Sequence, residues 1–189
     1  YLKDTPKTLK QMRKQKEGKL RKEEKPIPYP SWEALRAEEQ EDSPYLLFTI
    51  TDEDGNVVRE LAESPRSGVA RYTWDMRTSN PAPVRLRNGE FNPRSTGRSG
   101  VFVMPGTYNV SVRQCVRGEK TELVSPTPFK VVPLHNTTLP APDRKILSAF
   151  QEKASELYRV VQGGINAAHN LEEKIAYIKQ AAHSTPGAP

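Results

Sequence analysis

The chain has 189 residues, 35% of them hydrophobic and 28% charged, with a mean hydropathy of -0.74 and a formal charge of +6. Seventeen prolines, about 9% of the chain, exclude a single long helical bundle, and no run approaches eighteen consecutive apolar residues, so no segment reads as a membrane-spanning helix. One cysteine, Cys115, permits no internal disulfide, and with three scattered histidines it excludes a Cys/His zinc site.

The opening YLKDTPKT is neither a signal peptide nor an initiator methionine, so the sequence reads as an excised fragment. Thr5-Pro6 offers a helix start, and a lysine-rich helix is expected from about Pro6 to Glu24. Its only apolar residues are Leu9, Met12 and Leu20, too few to bury a face. Residues 1–25 carry ten Lys/Arg against four Asp/Glu, which accounts for the whole charge excess. That stretch invites a nucleic-acid reading for residues 6–25. The absence of aromatics in it weighs against one, and a solvated helix is the plainer account.

The run PIPYP at 26–30 forces an extended spacer, after which Ser31 caps a short acidic helix, SWEALRAEEQED, with Trp32 and Leu35 on one face. Acidic and basic helices are able to pair, although exposed ion pairs contribute only ~0.2–1 kcal/mol each.

From Tyr45 the period changes to two. YLLFTIT places Leu46, Phe48 and Ile50 on one side and Tyr45, Leu47, Thr49 and Thr51 on the other. DEDGN makes a turn, and NVVRELA returns as the second arm of a hairpin over 45–62. GVARYTWDM at 68–76 alternates again, with Ala70, Tyr72, Trp74 and Met76 on one face. Residues 77–100 form an irregular, arginine-rich excursion. VFVMPGTYNVSVRQCV turns at Pro105-Gly106 and aligns Tyr108, Val110, Val112, Gln114 and Val116; RGEK turns at 117–120, and TELV and PFKVVPL supply two short strands. About six strands without intervening helices predict a mainly β fold, an immunoglobulin-type antiparallel sandwich over 45–133 preceded by a leader at 1–44. Over 134–189, Leu147, Phe150, Ala154, Leu157 and Val161 precede Gly163-Gly164, and Ile165, Ala168, Leu171, Ile175, Ile178 and Ala182 follow it. This predicts an antiparallel helical hairpin that needs a further surface to bury itself.

TITDEDGNVVREL at 49–61, GVARYTWDMR at 68–77 and VMPGTYNVSV at 103–112 together resemble the Ig-like module of the flagellar hook-capping type, patterned D-x-x-G-x-x-V-R, then W-D, then P-G-x-Y-x-V. With YLKD, the lysine-rich helix, YPSWEALRAEE and the helical tail, the chain resembles the C-terminal region of sortilin-like, Asp-box propeller proteins of Bacteroidota, which are often labelled glycosyl hydrolases. The resemblance implies an exported protein, periplasmic, outer-membrane-associated or secreted, whose propeller lies ahead of Tyr1. It further implies that Tyr1 to Lys3 act as a first strand, interrupted by residues 5–43.

The chemistry-bearing residues do not assemble into a catalytic, cofactor or metal site. Asp52, Asp54, Asn56 and Glu63 fall near calcium-loop spacing, yet the sixth position is Val57 where an EF-hand needs glycine. Asp75 and Glu90 are the nearest pair of carboxylates for glycoside hydrolysis, without a motif that positions them. Ser99-Gly100 lacks a nucleophile elbow, and His135, His169 and His183 stand far apart. Alternation puts Cys115 on the polar side of its strand, a passive thiol. Arg77, Arg85, Arg87, Arg94 and Arg98 are candidates for an anionic or sugar ligand. The reading that follows is a non-catalytic accessory module that docks and positions a larger propeller protein. Its alternatives are a carbohydrate-binding module using the arginine-rich loop with Tyr29 and Trp32, and a nucleic-acid binder.

Overall fold

The first helix, α1 (Leu9–Lys22), begins three residues later than Thr5-Pro6. Thr8 caps it because Gln11 stands at the third helical position: the Gln11 amide donates to Thr8 Oγ1 (3.2 Å) while the Thr8 amide donates to Gln11 Oε1 (3.1 Å). Such a reciprocal box satisfies two free donors, which a Thr-Pro start lacks. Beyond the far end Glu24 takes a left-handed conformation (φ 52°), and the Lys25 amide reaches back to the Leu20 carbonyl at 3.0 Å. Lys19, Arg21 and Lys22 lie in the last turn, where the helix dipole favours cations. Helix α2 (Trp32–Gln40) is capped by Ser31, whose Oγ accepts from the Ala34 amide at 3.2 Å. The computed structural model describes residues 1–84, 92, 94, 99–134 and 141–187.

The fold is mainly β with helical additions. Strands β1 (Tyr45–Thr51), β2 (Val57–Glu63), β5 (Gly106–Val116) and β6 (Glu119–Val131) form an antiparallel sheet in the order β2-β1-β5-β6. The strands β3 (Arg77–Ser79) and β4 (Ser99–Phe102) pair separately. The β1–β2 hairpin closes through Asp52, and the β5–β6 hairpin through Arg117 (φ 50°) and Gly118 (φ 80°). Two consecutive positive φ values give the turn whose twist matches that of the strands. The two short strands expected from TELV and PFKVVPL are one long β6, with irregular register opposite Val110–Arg113. It is an edge strand, mostly exposed, in which Pro126 and Pro128 remove donors that a further strand would use.

Cross-strand partners Phe48, Leu61 and Val112, and Ile50, Arg59 and Val110, share one face of the sheet. Segment 68–76 contributes to that face without becoming a ladder strand. Ala70, Tyr72 and Trp74 are half-buried and alternate with exposed neighbours, so the period of two is real, but its backbone bonds lie at its ends, in the Leu2–Gly68 bridge and from the Val103 amide to the Met76 carbonyl (2.9 Å). Tyr72 meets Phe48 with ring centroids 4.9 Å apart, and its hydroxyl donates to the Ser64 carbonyl. Trp74 packs edge-on against Tyr108 (5.9 Å) and Phe129 (6.1 Å), with its Nε1 donating to the Arg77 carbonyl at 2.9 Å. Met76 breaks the expected alternation: it adopts φ 56°, which turns the chain into β3 and leaves its side chain outward.

The opposite face is also covered. Leu47, Ala62 and Cys115 form a buried cluster with Tyr45 against it. Cys115 therefore does not lie on a polar, open face as alternation alone implies. Its strand has β1 on one side and β6 on the other, and neighbouring side chains shield it.

By density of contacts the chain divides into two units, Tyr1–Ser79 with Glu90–Pro133, and Asn80–Gly89 with Leu134–Pro189. The second contains α3 (Ala141–Ser184), one continuous helix of 44 residues. This corrects the expected hairpin. Neither Gly163 nor Gly164 takes the left-handed conformation that ends a helix, and each glycine costs a helix interior only about 1 kcal/mol against alanine. Long helical runs on both sides outweigh that cost.

Candidate functional site

In the leader, α1 and α2 are joined by charged groups. Arg13 donates from Nε to Glu38 Oε1 (2.6 Å) and from Nη2 to Glu38 Oε2 (2.9 Å), a two-pronged pair, while its Nη1 reaches Glu17 (2.7 Å). Glu41 accepts from the Leu9 amide at 2.5 Å, placing a carboxylate at the N-terminus of α1, where free amides and the helix dipole favour it. Bonding to Arg13 holds the Glu38 carboxyl below the usual carboxylate range. Between and beside these helices Tyr29 and Trp32 are 88% and 82% exposed, two large aromatic faces open to solvent.

In the sheet, Arg59 is 6% exposed. Its Nη1 donates to the Thr78 carbonyl (3.1 Å) and its Nη2 to Ser99 Oγ (3.5 Å), and its Nε finds no partner among the described residues. The Ser99 hydroxyl donates onward to Asp75 Oδ2. Asp75 Oδ1 accepts from the Arg77 amide at 3.1 Å. These bonds, Ser99 foremost, together with the nearby Arg59 charge, hold the Asp75 carboxyl below its ordinary range. Arg77 lies over the Phe102 ring at 3.7 Å and donates to the Gly100 carbonyl at 3.1 Å. Asp75 is thus engaged in fixing β3 against β4, and its use as an acid or base would require breaking those bonds. Glu90, its proposed companion, lies outside the described residues.

The turn acids are occupied in the same manner. Asp52 Oδ1 accepts from the Asp54 (3.1 Å) and Asn56 (2.8 Å) amides, and its Oδ2 from Asn56 Nδ2 (3.0 Å), which lowers its affinity for a proton. Glu63 ends β2 opposite Leu46. Among the described residues no group of three or more His, Cys, Asp or Glu is placed to hold a metal ion.

Of the arginine-rich excursion, Arg77 is committed to Phe102 and Gly100, and Arg94 donates to Ser64 Oγ. Arg85, Arg87 and Arg98 lie outside the described residues, as does His135. His169 and His183 are both on α3. Cys115 borders a small recess with Asp42, Ser43, Tyr45, Arg117, Gly118 and Lys120. Burial, with Cys115 beside it, pushes the Tyr45 hydroxyl above the ordinary phenol range. Cys115 as a whole is 3% exposed, so a reagent reaches its thiol only when the strand opens.

Sequence reasoning missed Arg59 as a buried group. A signal was present, because Arg59 is the arginine of the V-R phrase and Asp75 the acid of W-D, but a strand arginine ordinarily points to water. No helix among the described residues is long and apolar enough to cross a membrane. No protein-family model, curated protein or solved structure matches the chain.

Proposed function

We propose that this chain is a non-catalytic interaction module, built on an Ig-like β fold, that docks and positions a larger exported propeller protein. The observation that carries the reading is the leader. Arg13, Glu38 and Glu41 join α1 to α2, so the leader is preorganised, and it presents Tyr29 and Trp32 with most of their surface open to solvent. Preorganisation lowers the ordering cost of binding, and exposed aromatics are the side chains on which binding energy concentrates. The Ig-like part of the reading is supported by Tyr108, whose hydroxyl donates to the Met104 carbonyl four residues upstream (2.7 Å), a bond of the kind such sandwiches make at a strand start. The export address and the propeller partner rest on the resemblance of the three strand-region phrases.

Limited proteolysis of the full-length gene product tests this. Protection of the stretch 23–31, together with a Trp32 emission blue-shifted relative to the isolated 189 residues, is the expected result. Cleavage in that stretch at the same rate in both proteins, with unchanged Trp32 emission, overturns it.

The exposed aromatic pair also favours a second reading, carbohydrate binding, since sugar rings stack on such faces. Titration with a panel of polysaccharides, read by Trp32 fluorescence and melting temperature, decides that reading: a saturable change lost in Trp32→Ala supports it, and indifference of both signals ends it.

A further inference from the structure

We infer that α3 is a self-association element, pairing antiparallel with α3 of a second copy of this chain. The inference stands on α3 alone and does not depend on the docking role of the leader. From Leu147 to Ala182 the helix repeats in heptads without interruption: Leu147, Ala154, Val161, Ala168, Ile175 and Ala182 recur every seven residues, with Phe150, Leu157, Gly164, Leu171 and Ile178 three places after. Alternating steps of three and four through five heptads give a period of 3.5, which keeps one seam facing a partner helix if the pair supercoils left-handedly. The position farthest from the seam is polar in every heptad: Glu152, Arg159, Asn166, Glu173 and Gln180. Gly163-Gly164 does not interrupt the repeat. Gly164 falls on the seam itself.

The seam is open. Phe150, Leu157, Leu171, Ile175 and Ile178 are each more than half exposed. With Leu147 and Val161 they offer on the order of 700 Å² per helix, so covering both seams of a pair removes about 1,200–1,400 Å², the size of a specific interface.

The side chains also select the partner and its direction. In a parallel pair Lys174 faces Lys179 of the other copy, a like-charge contact. In an antiparallel pair whose two-fold axis crosses the seam at the level of Asn166, Phe150 lies opposite Ala182, Ala154 opposite Ile178, Leu157 opposite Ile175 and Val161 opposite Leu171. Gly164 then meets Ala168 at the centre. Nearly every bulky residue is met by a smaller or equal one, and the smallest pair sits where the backbones cross closest. No lysine faces a lysine in this register. A sequence that complements its own reverse fits a second copy of itself, through the self-complementary patch that two-fold symmetry requires.

Sedimentation velocity of the intact 189-residue chain at tens of micromolar is the first test, with a dimer of the 21.3 kDa chain expected. Leu171→Lys is expected to weaken dimerisation at least ~10-fold, and Tyr177→Lys, exposed but off the seam, to leave it unchanged. Far-ultraviolet circular dichroism confirms that both variants keep their helix. Spin labels at Asn170→Cys or Gln180→Cys then read direction. Antiparallel pairing separates the two copies' labels by about 12 Å along the axis at 170 and about 42 Å at 180. A monomer at these concentrations, equal weakening by Tyr177→Lys, or equally short label distances at 170 and 180 would each overturn the proposal.

Discussion

Arg59 and Asp75 meet through one hydroxyl: Ser99 accepts from the buried guanidinium and donates to the carboxylate. The bridge joins β2, the bend before β3, and β4, so three segments distant in sequence share one polar node. Removing the Asp75 charge leaves the Arg59 guanidinium buried with only neutral acceptors, Thr78 and Ser99, against it among the described residues. Arg59→Met, which keeps the stem and drops the head, is expected to destabilise the fold by about 1–3 kcal/mol in urea unfolding, and Asp75→Asn by less.

Asp75 also ties this node to pH. Its carboxyl is held below its unfolded value, so the stabilisation it contributes is present above the unfolded value and is lost as pH falls through the lowered folded one. Urea midpoints measured from pH 7 down to pH 3 should fall more steeply in the wild type than in Asp75→Asn. Parallel slopes would show that the bridge carries no charge-dependent stability.

Glu38 gives the leader the same sign. Its proton affinity is lowered chiefly by Arg13, so the α1–α2 pairing persists at neutral pH and loosens as Glu38 takes up a proton, below the ordinary carboxylate value of 4.5. Amide exchange in α1, corrected for intrinsic rates, is expected to accelerate across that interval and to be fast at every pH in Arg13→Ala.

Gly100 is required by close approach. A Cβ there would stand 2.3 Å from Thr78 Oγ1 and 2.4 Å from the Ser79 carbonyl oxygen. Gly100→Ala must push β3 away from β4, and a loss of about 1–3 kcal/mol is expected in denaturant unfolding. Gly163→Ala should act oppositely. Its Cβ meets nothing within 4 Å in a continuous helix, so α3 gains about 0.5–1 kcal/mol, read as a higher melting temperature at 222 nm. A loss of helix on that change would restore a turn at Gly163.

Cys115 is expected to react with a thiol reagent on the order of 100-fold or more slowly in the folded protein than in urea, because only strand opening exposes it. Rapid stoichiometric labelling under native conditions would contradict the burial.

Local chemistry was written into the chain. Ser31 announces α2, Asp52 and Gly55 the first hairpin, Arg117-Gly118 the second, and the period of two in Tyr45–Thr51 a strand, because each depends on residues within a few positions of one another. Alternation at 68–76 correctly placed Tyr72 and Trp74 inward, yet periodicity reports which side is covered and is silent on which backbone partner supplies hydrogen bonds. Whether a buried face contains Cys115, whether Arg59 points to water or to Ser99, and whether Gly163-Gly164 bends a helix or lies within it are decided by groups far along the chain. The sequence alone thus determined the Ser31 cap, the two hairpin turns and the strands that flank them, since those energies are local, whereas the start of α1, the unbroken β6 and the unbroken α3 were not legible in it. The tertiary structure alone decided strand order, the two-sided burial of β1 and the Arg59–Ser99–Asp75 bridge, because desolvation depends on which distant side chains arrive to exclude water.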